Sequence, residues 1–272
     1  MGSIFLKSVV KNSLVPTKKI MIFDIKKNIT EKYSKTLSVQ TAKDELDLFL
    51  NSEYIFIAIK PQFLSKVLEK VLKGLKQLEK TEKINLPQII KSKVIISIVA
   101  GISMSVYENT FGENISVVRI MPNVLASVNQ AASALSKNKN ISAEQFGFVN
   151  SIFDKIGLVV QIDEYHMDVV TGLSGSGPAF IAILIESMAD GGVKMGMPRD
   201  VAYKLAAQTV KGTGEMLLKT ELHPGVMKDM VTSPGGTTIV GVHTLEKNNF
   251  RSTIISAIEA STLRSKELNE KK

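Results

Sequence analysis

The chain has 272 residues, of which 44% are hydrophobic and 22% charged, so it can bury a core of ordinary globular size without covalent staples. It has no cysteine, which excludes disulfides, thiolate metal sites and a cysteine nucleophile; its three histidines are scattered, so no metal site is expected. The net charge of +8 comes mostly from lysines such as Lys66, Lys70, Lys73 and Lys76, which share a polar helix face without interleaved aromatics. They read as solvated rather than as a nucleic-acid surface, and a basic surface also attracts small anions.

The first 163 residues alternate short apolar runs with helical stretches. Helical patterns lie near residues 3–13, 42–50, 62–78 and 103–110. Strands are predicted at residues 19–24 (KIMIFD), 54–59 (YIFIAI), 94–99 (VIISIV) and 117–121 (VVRIM). Each is branched, apolar and nearly continuous, as in parallel strands covered on both faces. A strand through 132–135, a helix through 142–154 and a strand through 157–162 complete the segment. This is the pattern of a doubly wound α/β sheet. Residues 74–91 are polar, rich in lysine and interrupted by Pro87, and read as a surface excursion.

From residue 164 the strand signal stops. Helices are predicted near 165–195, 199–219, 224–231, 237–247 and 250–269, giving two domains, 1–163 and an all-helical 164–272. Ile254, Ala257 and Ile258 share one helical face and suggest a packing seam. No apolar run reaches the ~20 residues that span a bilayer, and the start does not resemble a signal peptide, so no membrane partner and a cytoplasmic location are expected.

The start is unusual. A dinucleotide-binding unit opens with a strand, a glycine-rich turn and a helix whose N-terminus meets the pyrophosphate. Here Met1, Gly2 and Ser3 run straight into a helix, as though the unit began at the last glycine of that turn. Asp24, ending the next strand, would accept from ribose hydroxyls and favour NADH, whereas Lys26 and Lys27 would pair with a 2′-phosphate and favour NADPH; a plain turn residue followed by solvated lysines is the alternative. Later strand ends bring Ala58, Ile59, Lys60 and Pro61, then Val99, Ala100 and Gly101, then Asn123 toward the ligand edge. Asn123 would bond a nicotinamide amide or cap its turn.

In the helical half, three glycines and a proline fall among residues 171–179, inside a helical pattern. Each costs ~1 or ~3 kcal/mol there, so a kink, the close crossing of another helix or an approach to bound ligand is expected, close contact being favoured. Residues 233–238 (SPGGTT) feed a helix. A glycine turn there would leave N–H groups free for an anion, unless a threonine oxygen caps them. Glu221 lies in a turn between two helices, where it would steer an amine or merely end a helix. His223, beside it, reads as a capping residue.

Residues 170–180 (VTGLSGSGPAF), 189–199 (ADGGVKMGMPR), 223–246 (HPGVMKDMVTSPGGTTIVGVHTLE) and 250–261 (FRSTIISAIEAS) resemble the pyrroline-5-carboxylate reductase family. IAIKP, ISIVAGIS and VVRIMPN resemble its cofactor domain. The resemblance implies a Rossmann-type domain followed by a helical dimerisation domain. It implies NADPH- or NADH-dependent reduction of 1-pyrroline-5-carboxylate to L-proline, in homodimers sometimes assembled into decamers, with the imino acid held where domains of two subunits meet. It assigns the substrate carboxylate to Ser233, Gly236, Thr237 and Thr238, and the catalytic hydroxyl and acid to Thr238 and Glu221. Taken with the strand-end reading above, Gly2, Asp24, Ala58, Ile59, Lys60, Pro61, Val99, Ala100 and Asn123 are the residues expected along the cofactor. Family members open with a strand and G-x-G-x-M, of which only the tail is present here, so weak cofactor binding is an expectation. The rival readings are a cofactor-deficient homologue acting only as a helical oligomer, and a reductase of another small imino or hydroxy acid.

Overall fold

The computed structural model describes residues 1–82 and 84–270. Packing divides them into two units: Met1–Gly175 with the C-terminal stretch from Thr262, and Ser176–Ser261.

The first unit is α/β. In chain order its elements are α1 (Gly2–Lys11), β1 (Met21–Ile22), α2 (Lys27–Leu37), β2 (Gln40–Thr41), α3 (Glu45–Asn51), β3 (Tyr54–Ile57), α4 (Leu64–Glu82), α5 (Leu86–Lys91) and β4 (Val94–Ser97). They continue as α6 (Met104–Phe111), β5 (Ser116–Met121), β6 (Ala131–Lys137), α7 (Ala143–Asp154), β7 (Gly157–Gln161) and α8 (Met167–Val170). The main sheet has the order β3-β4-β5-β6-β7, and β1 and β2 pair separately in parallel. The expected strand over 19–24 is therefore only two residues long, because Thr17–Lys19 form a 3-10 turn before it.

β3, β4 and β5 run parallel, and every residue of β4 is buried. The pleat sends alternate side chains to opposite faces. Ile95 joins Leu64, Leu68, Leu75 and Tyr107 on one face, while Val94 and Ile96 join Phe5, Leu135 and Phe153 on the other. Such two-sided burial explains why these runs read as continuous apolar stretches.

β6 is antiparallel to β5, where an all-parallel order was expected. A parallel return needs a crossover of a dozen or more residues. Only residues 122–130 separate the two strands; they hold the 3-10 turn Val124–Val128, which Asn129 ends in the left-handed region at φ 58°. The stretch 74–91 is not an excursion. It is the end of α4 followed by α5, and Leu75, Leu86 and Ile90 are buried in the core. Pro87 sits in the first turn of α5, where a missing N–H costs nothing, and Asn85 caps that turn. Its lysines misled the reading because they occupy only the outer face.

The second unit holds α9 (Gly177–Lys194), α10 (Arg199–Thr220), α11 (Pro224–Met230), α12 (Thr237–Lys247) and the first part of α13 (Phe250–Glu270). α9 and α10 pack closely through small residues: a Cβ on Gly192 would lie 3.3 Å from that of Ala202. Ile183, Val240 and Ile255 are each more than 60% exposed. The helical stretch Glu164–Lys194 is long and apolar enough to cross a membrane by length and composition alone, a property that packed helices of other proteins share. The glycine-rich part of this stretch forms a π-turn at Thr171–Gly175, a local irregularity in an otherwise helical run.

Tyr107 is fully buried, its hydroxyl 2.6 Å from Ser97 Oγ, and burial pushes its phenol up to about 12. A raised folded-state value contributes stability that is complete below pH 10 and is lost as pH rises toward about 12. Tyr107→Phe should cost about 1 kcal/mol at pH 7 in urea denaturation at fixed protein concentration, and the gap to the parent should close between pH 10 and 12. A gap that stays constant across that range would show that Tyr107 does not titrate as described.

Candidate active site

Because β3, β4 and β5 are parallel, their C-terminal ends lie on one side of the sheet. At the end of β3, Ala58, Ile59 and Lys60 are exposed, and Pro61 starts the 3-10 turn Pro61–Phe63 that leads into α4. Proline there fixes the backbone for the turn and stops the strand. A Cβ on Gly2 would lie 3.0 Å from that of Ala58, so the first turn of α1 lies against the end of β3. No side chain caps α1. An uncapped helix start beside an exposed, small-residue strand end fits the phosphates of a dinucleotide.

At the end of β4, Val99 is buried, with 3% of the residue exposed. Ala100 is exposed and Gly101 has φ 70°, a conformation that side chains resist. At the end of β5, Asn123 is almost fully buried and both ends of its amide are engaged. Its Oδ1 accepts from Leu125 N at 3.2 Å and its Nδ2 donates to Ser174 O at 3.1 Å. The capping alternative is therefore the one seen, with an added tie to the π-turn. That turn passes close to the sheet, since a Cβ on Gly175 would come 2.9 Å from Met121 Cε.

Asp24 lies beyond β1 and is exposed. Its Oδ1 accepts from Lys26 N at 2.8 Å, and Thr30 Oγ1 accepts from its N–H at 3.2 Å, so it organises the entry to α2. This turn uses one carboxylate oxygen and leaves Lys26 and Lys27 exposed beside it.

The second unit contains the glycine turn. Gly235 has φ 67°, and Gly236 N donates to Ser233 O at 3.1 Å, which closes residues 233–236. A Cβ on Gly236 would come within 2.3 Å of Ser233 Oγ, so the turn holds that hydroxyl where a side chain would otherwise lie. α12 then starts at Thr237 with no side-chain cap. The threonine-capped alternative is not what forms; the first amides of α12 are left for another acceptor. Thr237 is exposed and Thr238 half-buried, so the turn lies at the surface of its unit.

Glu221 ends α10 in the left-handed region at φ 55°, its N–H bonded to Leu217 O at 3.0 Å and its side chain exposed. A non-glycine residue there carries local strain. His223 caps α11, as expected, by accepting from Gly225 N at 3.0 Å.

Within each unit the predicted residues thus come together in part. Gly2 and Ala58 touch, the strand ends share an edge, and Ser233, Gly236, Thr237 and Thr238 form one turn. An ion pair between buried Arg119 and half-buried Glu164 escaped the sequence reading. Its signal was a charged residue in the middle of the strand VVRIM.

Residues 164–268 match the family model described as pyrroline-5-carboxylate reductase dimerisation. The chain is 41% identical over 271 residues to the pyrroline-5-carboxylate reductase of Methanosarcina acetivorans, covering 100% of this chain and 95% of that protein. It is 44% identical over 237 residues to that of Synechocystis, covering 87% and 83%. Among solved structures, a pyrroline-5-carboxylate reductase from Coxiella burnetii superposes with a TM-score of 0.87 at 28% identity, over 98% of this chain and 94% of that one. The Plasmodium falciparum pyrroline carboxylate reductase with NADP bound gives 0.82 at 30% identity, over 99% and 94%. With the strand ends and the uncapped glycine turn falling on the motifs that carry this likeness, the chain belongs to the pyrroline-5-carboxylate reductase family.

Proposed function

We propose that this chain reduces 1-pyrroline-5-carboxylate to L-proline with a nicotinamide dinucleotide, and that the observation carrying this is the uncapped start of α12 in its glycine turn. A small carboxylate matches what the turn offers: free N–H groups, the positive end of a helix dipole, and the hydroxyls of Ser233, Thr237 and Thr238. The bound dinucleotide supplies the hydride for the imine carbon. Gly2, Ala58, Ile59, Lys60, Pro61, Val99 and Ala100 hold it through backbone and small side chains, and Asn123 shapes that edge from beneath. Gripping the carboxylate orients the planar ring, which is the main thing the protein must do once hydride is supplied. Thr238 holds a hydroxyl at the ring nitrogen, and Glu221 adds negative charge that favours its protonated form. The functional boundary is placed between residues 163 and 164. The exposed Ile183, Val240 and Ile255 fit a helical surface that a second copy covers, and a decamer of such dimers is the larger assembly proposed.

For the cofactor we favour NADPH. Two exposed lysines flank one carboxylate at the entry to α2, leaving net positive charge for a 2′-phosphate. The rival reading of a cofactor-deficient oligomer predicts assembly without dinucleotide oxidation.

The purified chain should oxidise NADPH only when the imino acid is present and should release proline. Thr238→Val should lower kcat/KM for the imino acid by about 10–100-fold without changing dinucleotide affinity. Absence of proline from a chain that binds NADPH would overturn the substrate assignment. Replacing Lys26 and Lys27 together with alanine should raise KM for NADPH about tenfold and leave that for NADH unchanged, since only the former carries the extra phosphate. An equal effect on both cofactors would place these lysines elsewhere.

A further inference from the structure

One buried chain of polar groups in the first unit is not used by the reaction as described. Arg119 lies in β5, 8% exposed and in register with Ser97 of β4. Its Nη1 donates to Glu164 Oε1 at 3.0 Å. The same oxygen accepts from the backbone N–H of Met104 at 2.7 Å, from 60 residues along the chain. Met104 opens α6, and the residue before it does not cap that helix, because Ser103 Oγ pairs with Ser105 Oγ at 2.7 Å. Glu164 therefore does the capping, and Arg119 balances its charge.

α6 follows directly on the turn that leaves β4. The other end of that turn is held by Ser97 Oγ, which accepts from Val99 N at 3.3 Å and bonds the hydroxyl of Tyr107 on α6 at 2.6 Å. Residues 99–103 are thus fixed at both ends, with Gly101 in the left-handed region between them.

We propose that Arg119 and Glu164 are positioning residues for the dinucleotide. They hold the start of α6, and through it the backbone of residues 99–101 against which the cofactor rests. The inference builds on the reading of the strand ends given above. Removing the carboxylate leaves Arg119 buried without its partner and the start of α6 without its cap, so the turn is free to shift. A glutamine keeps an oxygen that accepts from both groups. An aspartate keeps the charge but is one methylene short of reaching both.

The test uses the full chain and its E164A, E164Q and E164D variants. NADPH affinity is read from quenching of the nicotinamide fluorescence, alongside kcat and both KM values. E164A should raise Kd and KM for NADPH about tenfold, leaving kcat and the imino-acid KM within about twofold, and E164Q should return to within about threefold of the parent. Equal NADPH affinity in E164A and the parent would overturn the proposal. So would a uniform loss of all parameters together with Tm that E164Q fails to restore. If E164A does not fold, E164D decides, with unchanged NADPH affinity counting against the proposal and a comparable loss supporting it. A parent that binds no NADPH would defeat the reading of the strand ends, and this proposal with it, a result distinct from equal affinities.

Discussion

A helix that begins without a cap keeps unsatisfied hydrogen-bond donors and a partial positive charge at its first turn. α12 is such a helix, and the residues before it preserve that state. Gly235 adopts a positive φ, Gly236 is closed against Ser233, and neither threonine folds back as a cap. A serine, aspartate or asparagine cap at Gly236 would satisfy one amide but improve on glycine by only about a few tenths of a kcal/mol, and its Cβ would collide with Ser233 Oγ. The chain forgoes that cap, and the donors stay open for the carboxylate proposed above. The two glycines have separate tasks, one permitting the turn and the other leaving room for the Ser233 hydroxyl.

The α/β unit follows a different logic. The recognition proposed for it rests on the common direction of β3, β4 and β5, which carries Ala58, Val99 and Asn123 to one side of the sheet. Most of these residues are small or buried, so what they present is backbone. Shape is then held from behind. Asn123 spends its amide on a turn and on the π-turn, and Glu164 spends its carboxylate on α6 and Arg119. Such buried polar groups are worth keeping only when all their partners are in place. In this family member, precision at an edge of small residues is supplied by side chains that do not line it.

Much of this was legible in the sequence for physical reasons. Strands buried on both faces announce themselves as unbroken branched runs, and β3, β4 and β5 were found that way. The helical half was legible from its periodicity, and the SPGGTT turn from glycine chemistry. Other parts were hidden. α2 (KNITEKYSKTL) offers only a thin stripe of Ile29, Tyr33 and Leu37, none of them fully buried, among polar residues. The reversal of β6 depends on how few residues follow Met121, a matter of chain reach rather than composition. Lysines concealed the buried Leu75, Leu86 and Ile90. At Asn123 the turn cap is joined by a bond to Ser174, 51 residues away, which no local pattern reveals.

The central claim, that bare amides at the start of α12 hold the substrate carboxylate, is tested most directly by deleting one of them. Proline is favoured at the first position of a helix, and the extended backbone of Gly236 (φ −79°, ψ 174°) suits a residue that precedes proline. Thr237→Pro therefore removes an N–H without breaking the helix, and Thr237→Ala controls for the lost side chain. The account predicts that KM for 1-pyrroline-5-carboxylate is about tenfold higher in the proline variant than in the alanine variant, with helix content and NADPH affinity unchanged. Equal KM values in the two variants would contradict it.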